Sequence, residues 1–231
     1  MPKVQTTDHK VTWKGASRRR PRRRGGKITA RDVGRIVDKK LEVKSEKKFF
    51  DDIANDDFLY TSTPVIVDIC QPAQGVSQIE RTGEEIQICN VFLRAGLFGN
   101  PAGVNGLNYF DQQYRIMLIQ WYADNSTTAP TLADLLQNST RPFSWYERQN
   151  VGKNFRVLYD NKGLLSGSQG NPDAQMYIDV AIPGKKFGTV EFDGSGLGGT
   201  NHVYLVAFSN INTTNQAPKL NWNTHVTYCD N

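Results

Sequence analysis

The sequence predicts an all-β fold: a single eight-stranded jelly roll (a β-sandwich), preceded by a disordered basic arm and a short N-terminal helix. Two observations predict the body. From about residue 60 onward, β-branched and aromatic runs are broken by Gly, Asn and Pro, which gives eight strand candidates. No βαβ alternation accompanies them, so a sandwich is expected, and eight strands of this length suggest a jelly roll. A third observation predicts the arm. Residues 1–27 are basic, poor in apolar residues and end in Gly25-Gly26, so they cannot bury enough surface to order themselves.

In chain order, the helix comes first. Thr29 and Asp32 fit a capping box, and Val33, Ile36, Val37 and Leu41 recur at helical spacing. A short amphipathic helix and linker are therefore expected over residues 28–48, with a basic face of Arg31, Arg35, Lys39 and Lys40. The jelly-roll domain is expected over residues 49–231. Its strand candidates are Val65–Ile69, Glu85–Ala95, Gln113–Ala123, Lys153–Asp160, Lys162–Ser166, Gln175–Ile182, Val203–Ser209 and Asn223–Cys229. Alternation is clear in Tyr114-Arg115-Ile116-Met117-Leu118-Ile119-Gln120-Trp121 and in Asn154 to Tyr159. The one helical signal in the body, Pro130 to Leu136, reads as a short crossover between strands. Residues 97–108 read as a loop rich in Gly and Asn.

Charge divides along the same boundary. Residues 1–48 hold 17 Lys/Arg against 5 Asp/Glu, which is +12; residues 49–231 hold 11 against 18, which is −7; together they give the net +5 of the 231-residue chain. A positive tail on an acidic body suits a protein that holds a polyanion at one end. The candidate nucleic-acid-binding residues are Arg18, Arg19, Arg20, Arg22, Arg23 and Arg24, with Lys27, Arg31 and Arg35. A solvated tail or a nuclear-import signal is the alternative use of such a run. No stretch approaches the ~20 apolar residues that span a bilayer, so no membrane partner is expected. The N-terminus lacks the apolar core of a signal peptide, and cytosolic synthesis and folding are expected. Cys70, Cys89 and Cys229 are odd in number, far apart and set in apolar stretches, which predicts reduced core cysteines.

Catalytic patterns find little support, and no enzyme is expected. His9, His202 and His225 have no second His or Cys at metal-ligand spacing. Gly194-Ser195-Gly196-Leu197-Gly198-Gly199 matches the dinucleotide fingerprint as a string, yet a strand follows it where the fingerprint needs a helix N-terminus, so a flexible inter-strand loop is expected. Asp51-Asp52 and Asp56-Asp57 are paired acids beside a basic arm, and surface or inter-subunit positions are expected for them.

Five segments, in order, carry a resemblance. They are Glu80-Arg81-Thr82-Gly83-Glu84-Glu85-Ile86-Gln87-Ile88, the run Tyr114–Trp121 followed by Asp124, Ala129-Pro130-Thr131-Leu132-Ala133-Asp134-Leu135-Leu136, Lys153-Asn154-Phe155-Arg156-Val157-Leu158-Tyr159-Asp160, and Val226-Thr227-Tyr228-Cys229-Asp230-Asn231. Over residues 29–231 the chain resembles capsid proteins of the satellite tobacco necrosis virus type, found also in circular Rep-encoding single-stranded DNA viruses. The resemblance implies a self-assembling capsid protein with no required cofactor, a homo-oligomeric icosahedral shell of about 60 copies, and a single-stranded genome packaged by the arm. The arm is longer and denser in arginine than the satellite protein's, which points to DNA rather than RNA. Localisation in the virion follows, with assembly in the host nucleus if the arginine run doubles as an import signal. The resemblance also implies calcium (Ca2+) at subunit interfaces, through Asp230, Thr82 by its backbone carbonyl, Glu85 and Glu46. Here Glu85 replaces a neutral amide of the satellite protein, and Gly75 and Val76 stand where the family's three-fold ion has acids. Residues 100–108 look like an insertion. The competing readings are a non-viral nucleic-acid-binding β-sandwich, for which no base-stacking signature is found, and a jelly-roll lectin, which leaves the arm unexplained.

Overall fold

The computed structural model describes residues 33, 47–99, 112–122, 129–165, 175–194, 196, 198–212 and 217–230. The chain divides into two units, Met1–Lys44 and Ser45–Asn231. In the first, Val33 alone is described; it is helical and half-exposed. The expected disordered arm, and the rest of the expected helix, lie outside the described residues.

The second unit is built from antiparallel strands in two sheets. In order these are β1 (Lys47–Phe58), β2 (Val65–Asp68), β3 (Glu85–Phe98), β4 (Gln112–Trp121), the short helix α1 (Leu132–Leu135), β5 (Phe155–Leu165), β6 (Gln175–Pro183), β7 (Thr189–Phe192), β8 (Gly199–Thr200), β9 (Val203–Ser209) and β10 (Lys219–Asp230), with one 3-10 turn at Gly184–Lys186. The first sheet runs β1-β10-β3. The far edge of β3 is then shared, by β6 along Asn90–Phe98 and by β7 along Glu85–Gln87, with β8 beyond β7. The second sheet runs β2-β9-β4-β5.

Among the described residues, ten strands replace the expected eight. Lys153–Asp160 and Lys162–Ser166 are one strand, β5, which stays paired with β4 through Asn161 and Lys162. Three strands had no sequence signal. β1 inverts the usual pattern: Lys48 and Asp52 point inward while Phe49 and Ile53 point to solvent, so its alternation does not read as a half-buried strand. β7 and β8 are too short to register in a Gly-rich stretch. The expected inter-strand loop lies between these two strands, with Gly199, its last residue, already in β8. Gly199 is required there, because a Cβ would lie 1.8 Å from the carbonyl oxygen of Glu191. At residue 97 the expected loop begins too early, since Leu97 is buried within β3 and pairs with Leu220.

The main core lies between the sheets. Val91, Leu93 and Leu97 of β3 meet Ile116 and Leu118 of β4, Leu205 and Ala207 of β9, and Trp222 and Val226 of β10. A second core forms on the other face of β4. There Met117 and Ile119, with Val206, Phe208 and Phe155, receive Leu132, Leu135 and Leu136 from α1 and its C-terminal end. β4 is thus covered on both faces, which explains its unbroken Ile116-Met117-Leu118-Ile119 and corrects the reading of that run as simple alternation. Thr131 caps α1 in a reciprocal box with Asp134, so a helix too short to stand alone is fixed at its start.

Arg115 anchors the segment after α1. It is fully buried and grips Asp160 with two bonds of 2.8 and 2.9 Å, while donating to the carbonyls of Pro142 and Ser144. Tyr146 donates to the same carboxylate and lays its ring under the guanidinium at 4.6 Å. A fork of fixed donors suits this geometry where a lysine would not.

Candidate functional site

The motif Arg81-Thr82-Gly83 lies where the two ends of the domain meet: the first residues of β1, the last residue of β10 and the lead-in to β3. Lys48 points inward from β1 and is 4% exposed. Its ammonium pairs with Asp230 Oδ2 at 2.7 Å and donates to the Glu80 carbonyl at 2.9 Å and to Thr82 Oγ1 at 3.2 Å, so all three donors are used. Thr82 in turn donates to Asp230 through its amide at 3.0 Å and through its hydroxyl at 2.5 Å. Burial pushes the Asp230 carboxyl up, but the Lys48 and Thr82 donors outweigh it and hold the group below its ordinary value. Asp230 Oδ1 is buried and accepts no bond among the described residues.

Arg81, wholly buried, ties this cluster to the β7–β8 hairpin. Its Nη2 donates to the carbonyls of Gly194 and Gly196, each at 2.7 Å, and its Nη1 to Gly83. The guanidinium stacks on Phe192 at 4.1 Å. Burial lowers its pKa, though the nearby Glu84 and Asp230 oppose the shift. The segment before Arg81 also shields the outer edge of β1, where the Phe49 amide donates to the Gln78 carbonyl. The arrangement clamps together chain segments distant in sequence.

Of the four expected calcium ligands, Thr82 and Asp230 come together, with Thr82 contributing its amide and hydroxyl. Glu85 begins β3 opposite Glu191, and Glu46 lies outside the described residues. No three His, Cys, Asp or Glu side chains gather as a metal would require among the described residues. Within one chain, Lys48 supplies the positive charge that Asp230 needs. Arg18, Arg19, Arg20, Arg22, Arg23, Arg24, Lys27, Arg31 and Arg35 all lie outside the described residues. Sequence reasoning missed Lys48 because it sits in a run of lysines, where only the register of β1 separates the buried residue from exposed Lys47.

Among the described residues, several large apolar side chains remain exposed. On the outward face of the first sheet, Phe49 and Phe92 flank His225 with ring centroids 5.8 and 5.9 Å away, and Asp51 bonds the His225 ring at 2.5 Å. Ile53 and Tyr177 extend this face, at 61% and 73% exposure. Beyond the second sheet, Trp145 is 78% exposed on the segment that Arg115 holds.

No family model and no curated protein matches the sequence. Among solved structures, the chain is similar to a structure of infectious bursal disease virus, Gx strain, at 11% identity and a TM-score of 0.36, over 79% of this chain and 32% of that one. It is also similar to the capsid structure of Penaeus monodon metallodensovirus following EDTA treatment, at 9% identity and a TM-score of 0.27, over 80% of this chain and 72% of that one. The chain thus spans about a third of the first of these proteins and most of the second.

Proposed function

We propose that this chain is a viral capsid protein that self-assembles into a small icosahedral shell and packages a single-stranded genome through its arginine-rich arm. The observation that carries the reading is the charge segregation, +12 on residues 1–48 against −7 on residues 49–231, set on a two-sheet β body. Strand order supports it. With β7 and β8 taken as an added hairpin, the sheets β1-β10-β3-β6 and β2-β9-β4-β5 follow the pairing of an eight-stranded jelly roll. About 60 arms of +12 bring roughly 700 positive charges to the inside of a shell, enough to neutralise much of a short genome. The genome is DNA, assembly is nuclear, and the acidic body keeps the outer surface from holding nucleic acid. Calcium sits between subunits at Asp230, Thr82, Glu85 and Glu46, with ligands from a neighbouring copy completing the site beside Lys48.

Replacing Arg18, Arg19, Arg20, Arg22, Arg23 and Arg24 with Ala tests the packaging. The β body should stay folded while the nucleic acid carried by purified particles falls and loses its steep salt dependence. Unchanged nucleic-acid content would overturn the proposal. The other reading, a non-viral nucleic-acid-binding sandwich, predicts binding by the arm without particles of any kind.

A further inference from the structure

Cys89 and Cys229 are 140 residues apart in sequence, yet their sulfur atoms approach to 2.9 Å. The register explains how. Along β10 and β3, Thr227 pairs with Asn90 and Tyr228 with Ile88, so Cys89 is the extra residue of a β-bulge. Continued without the bulge, the register of Lys219–Thr227 would set residue 89 opposite Tyr228. The bulge turns the Cys89 thiol toward Cys229 instead, in keeping with the way bulges re-aim side chains. The bulge is held from behind. A Cβ on Gly184 would lie 2.5 Å from the carbonyl oxygens of both Ile88 and Cys89, so only a glycine lets the 3-10 turn pack here. Cys89 is half-buried and Cys229 is 8% exposed. The expectation of three buried core thiols therefore holds best for Cys70, at 0% exposure.

We propose that Cys89 and Cys229 form a redox-closable pair, joined into an intramolecular disulfide by a small-molecule disulfide of the glutathione type. The Cys89 thiolate, the more accessible of the two, attacks one sulfur of the oxidant and expels a thiolate, leaving a mixed disulfide. The Cys229 thiolate then attacks the Cys89 sulfur and expels the second small thiolate. Both protons end on the departing thiols, so two protein thiols are oxidised as one disulfide is reduced. Cys70 is no competitor: burial, with the charge of Asp68 in second place, pushes its thiol well up. Closure fastens the end of β10 to β3 one residue before Asp230, beside the Lys48–Asp230–Thr82 clamp. It also closes a long loop in the unfolded chain, which is where a cross-link stabilises most.

The test uses the purified full chain, reduced and then incubated with oxidised glutathione. Alkylation after denaturation should count one remaining thiol in place of three, the intact mass should fall by about 2 Da, and a tryptic digest should link the peptide over residues 82–94 to that over residues 220–231. The melting temperature should rise by roughly 5–10 °C and fall back when reductant is added. Cys70→Ser should keep every one of these changes, and Cys89→Ser and Cys229→Ser should each lose them. Three thiols persisting in the folded chain would overturn the proposal. So would a stable glutathione adduct on Cys89, or a linkage involving the Cys70 peptide.

Discussion

Replacing Lys48 with Met removes a buried ammonium while keeping the length of the side chain, so the effect reads the polar contacts of the clamp. Three contacts are lost: the 2.7 Å pair with Asp230 and the bonds to the Glu80 carbonyl and Thr82 Oγ1. Asp230 keeps its two Thr82 donors but loses its counter-charge in a site where its side chain is 12% exposed. Breaking one side of a buried pair costs about 3–5 kcal/mol, and the surviving Thr82 bonds set the expectation near the lower end, about 3 kcal/mol. For a domain of this size that is a fall of about 6–12 °C in melting temperature. In a double-mutant cycle of Lys48→Ala and Asp230→Ala, the double variant should be less destabilised than the sum of the single ones by about 2 kcal/mol. The pH dependence has a definite sign. A carboxyl held below its unfolded value of about 3.9 contributes stability that is full above that pH and lost as pH falls through the folded value. Wild-type stability should therefore drop below about pH 4, and Lys48→Met should flatten that drop. Urea unfolding followed by tryptophan fluorescence, repeated across pH 3–6, measures both effects. A cost under about 1 kcal/mol with an unchanged acid limb would refute the reasoning, since the pair would then behave as an exposed one.

Two further outcomes follow from the same structure. Arg115→Lys cannot reproduce the paired hydrogen bonds to Asp160 or reach both carbonyls, so it should cost about 3 kcal/mol and open the segment around Arg141 to trypsin, read as faster cleavage in limited proteolysis. Chelator should lower the melting temperature of assembled particles and added calcium should restore it, because Asp230 Oδ1 is buried without a donor among the described residues; particles indifferent to chelator would leave the contact to Lys48 and apolar packing.

Strands with ordinary patterning are legible in the sequence. β2, β3, β4, β6, β9 and β10 lie where apolar periodicity placed them, because each buries one or both faces in a core that selects β-branched residues. β1 was not legible, since a strand that turns Lys48 and Asp52 inward and Phe49 and Ile53 outward contradicts the pattern on which such readings rest. Its inversion has a cause in three dimensions: Lys48 answers a carboxylate at the far end of the chain, and nothing local announces that partner. The same holds for the Cys89–Cys229 contact, which depends on a one-residue bulge that spacing in the sequence cannot reveal. Arg81 and Asp160 stand out as motif residues, whereas the roles of Arg81 as a buried clamp and of Asp160 as the partner of Arg115 come only with the residues packed on them.

The central claim is assembly into closed shells, and electron micrographs of the purified full-length protein test it most directly. Uniform small spheres are predicted, with a mass by light scattering near 60 times the 26.0 kDa chain, about 1.6 MDa, and nucleic acid inside. A population that stays monomeric or dimeric across salt and pH, with the arm intact and nucleic acid supplied, would contradict it.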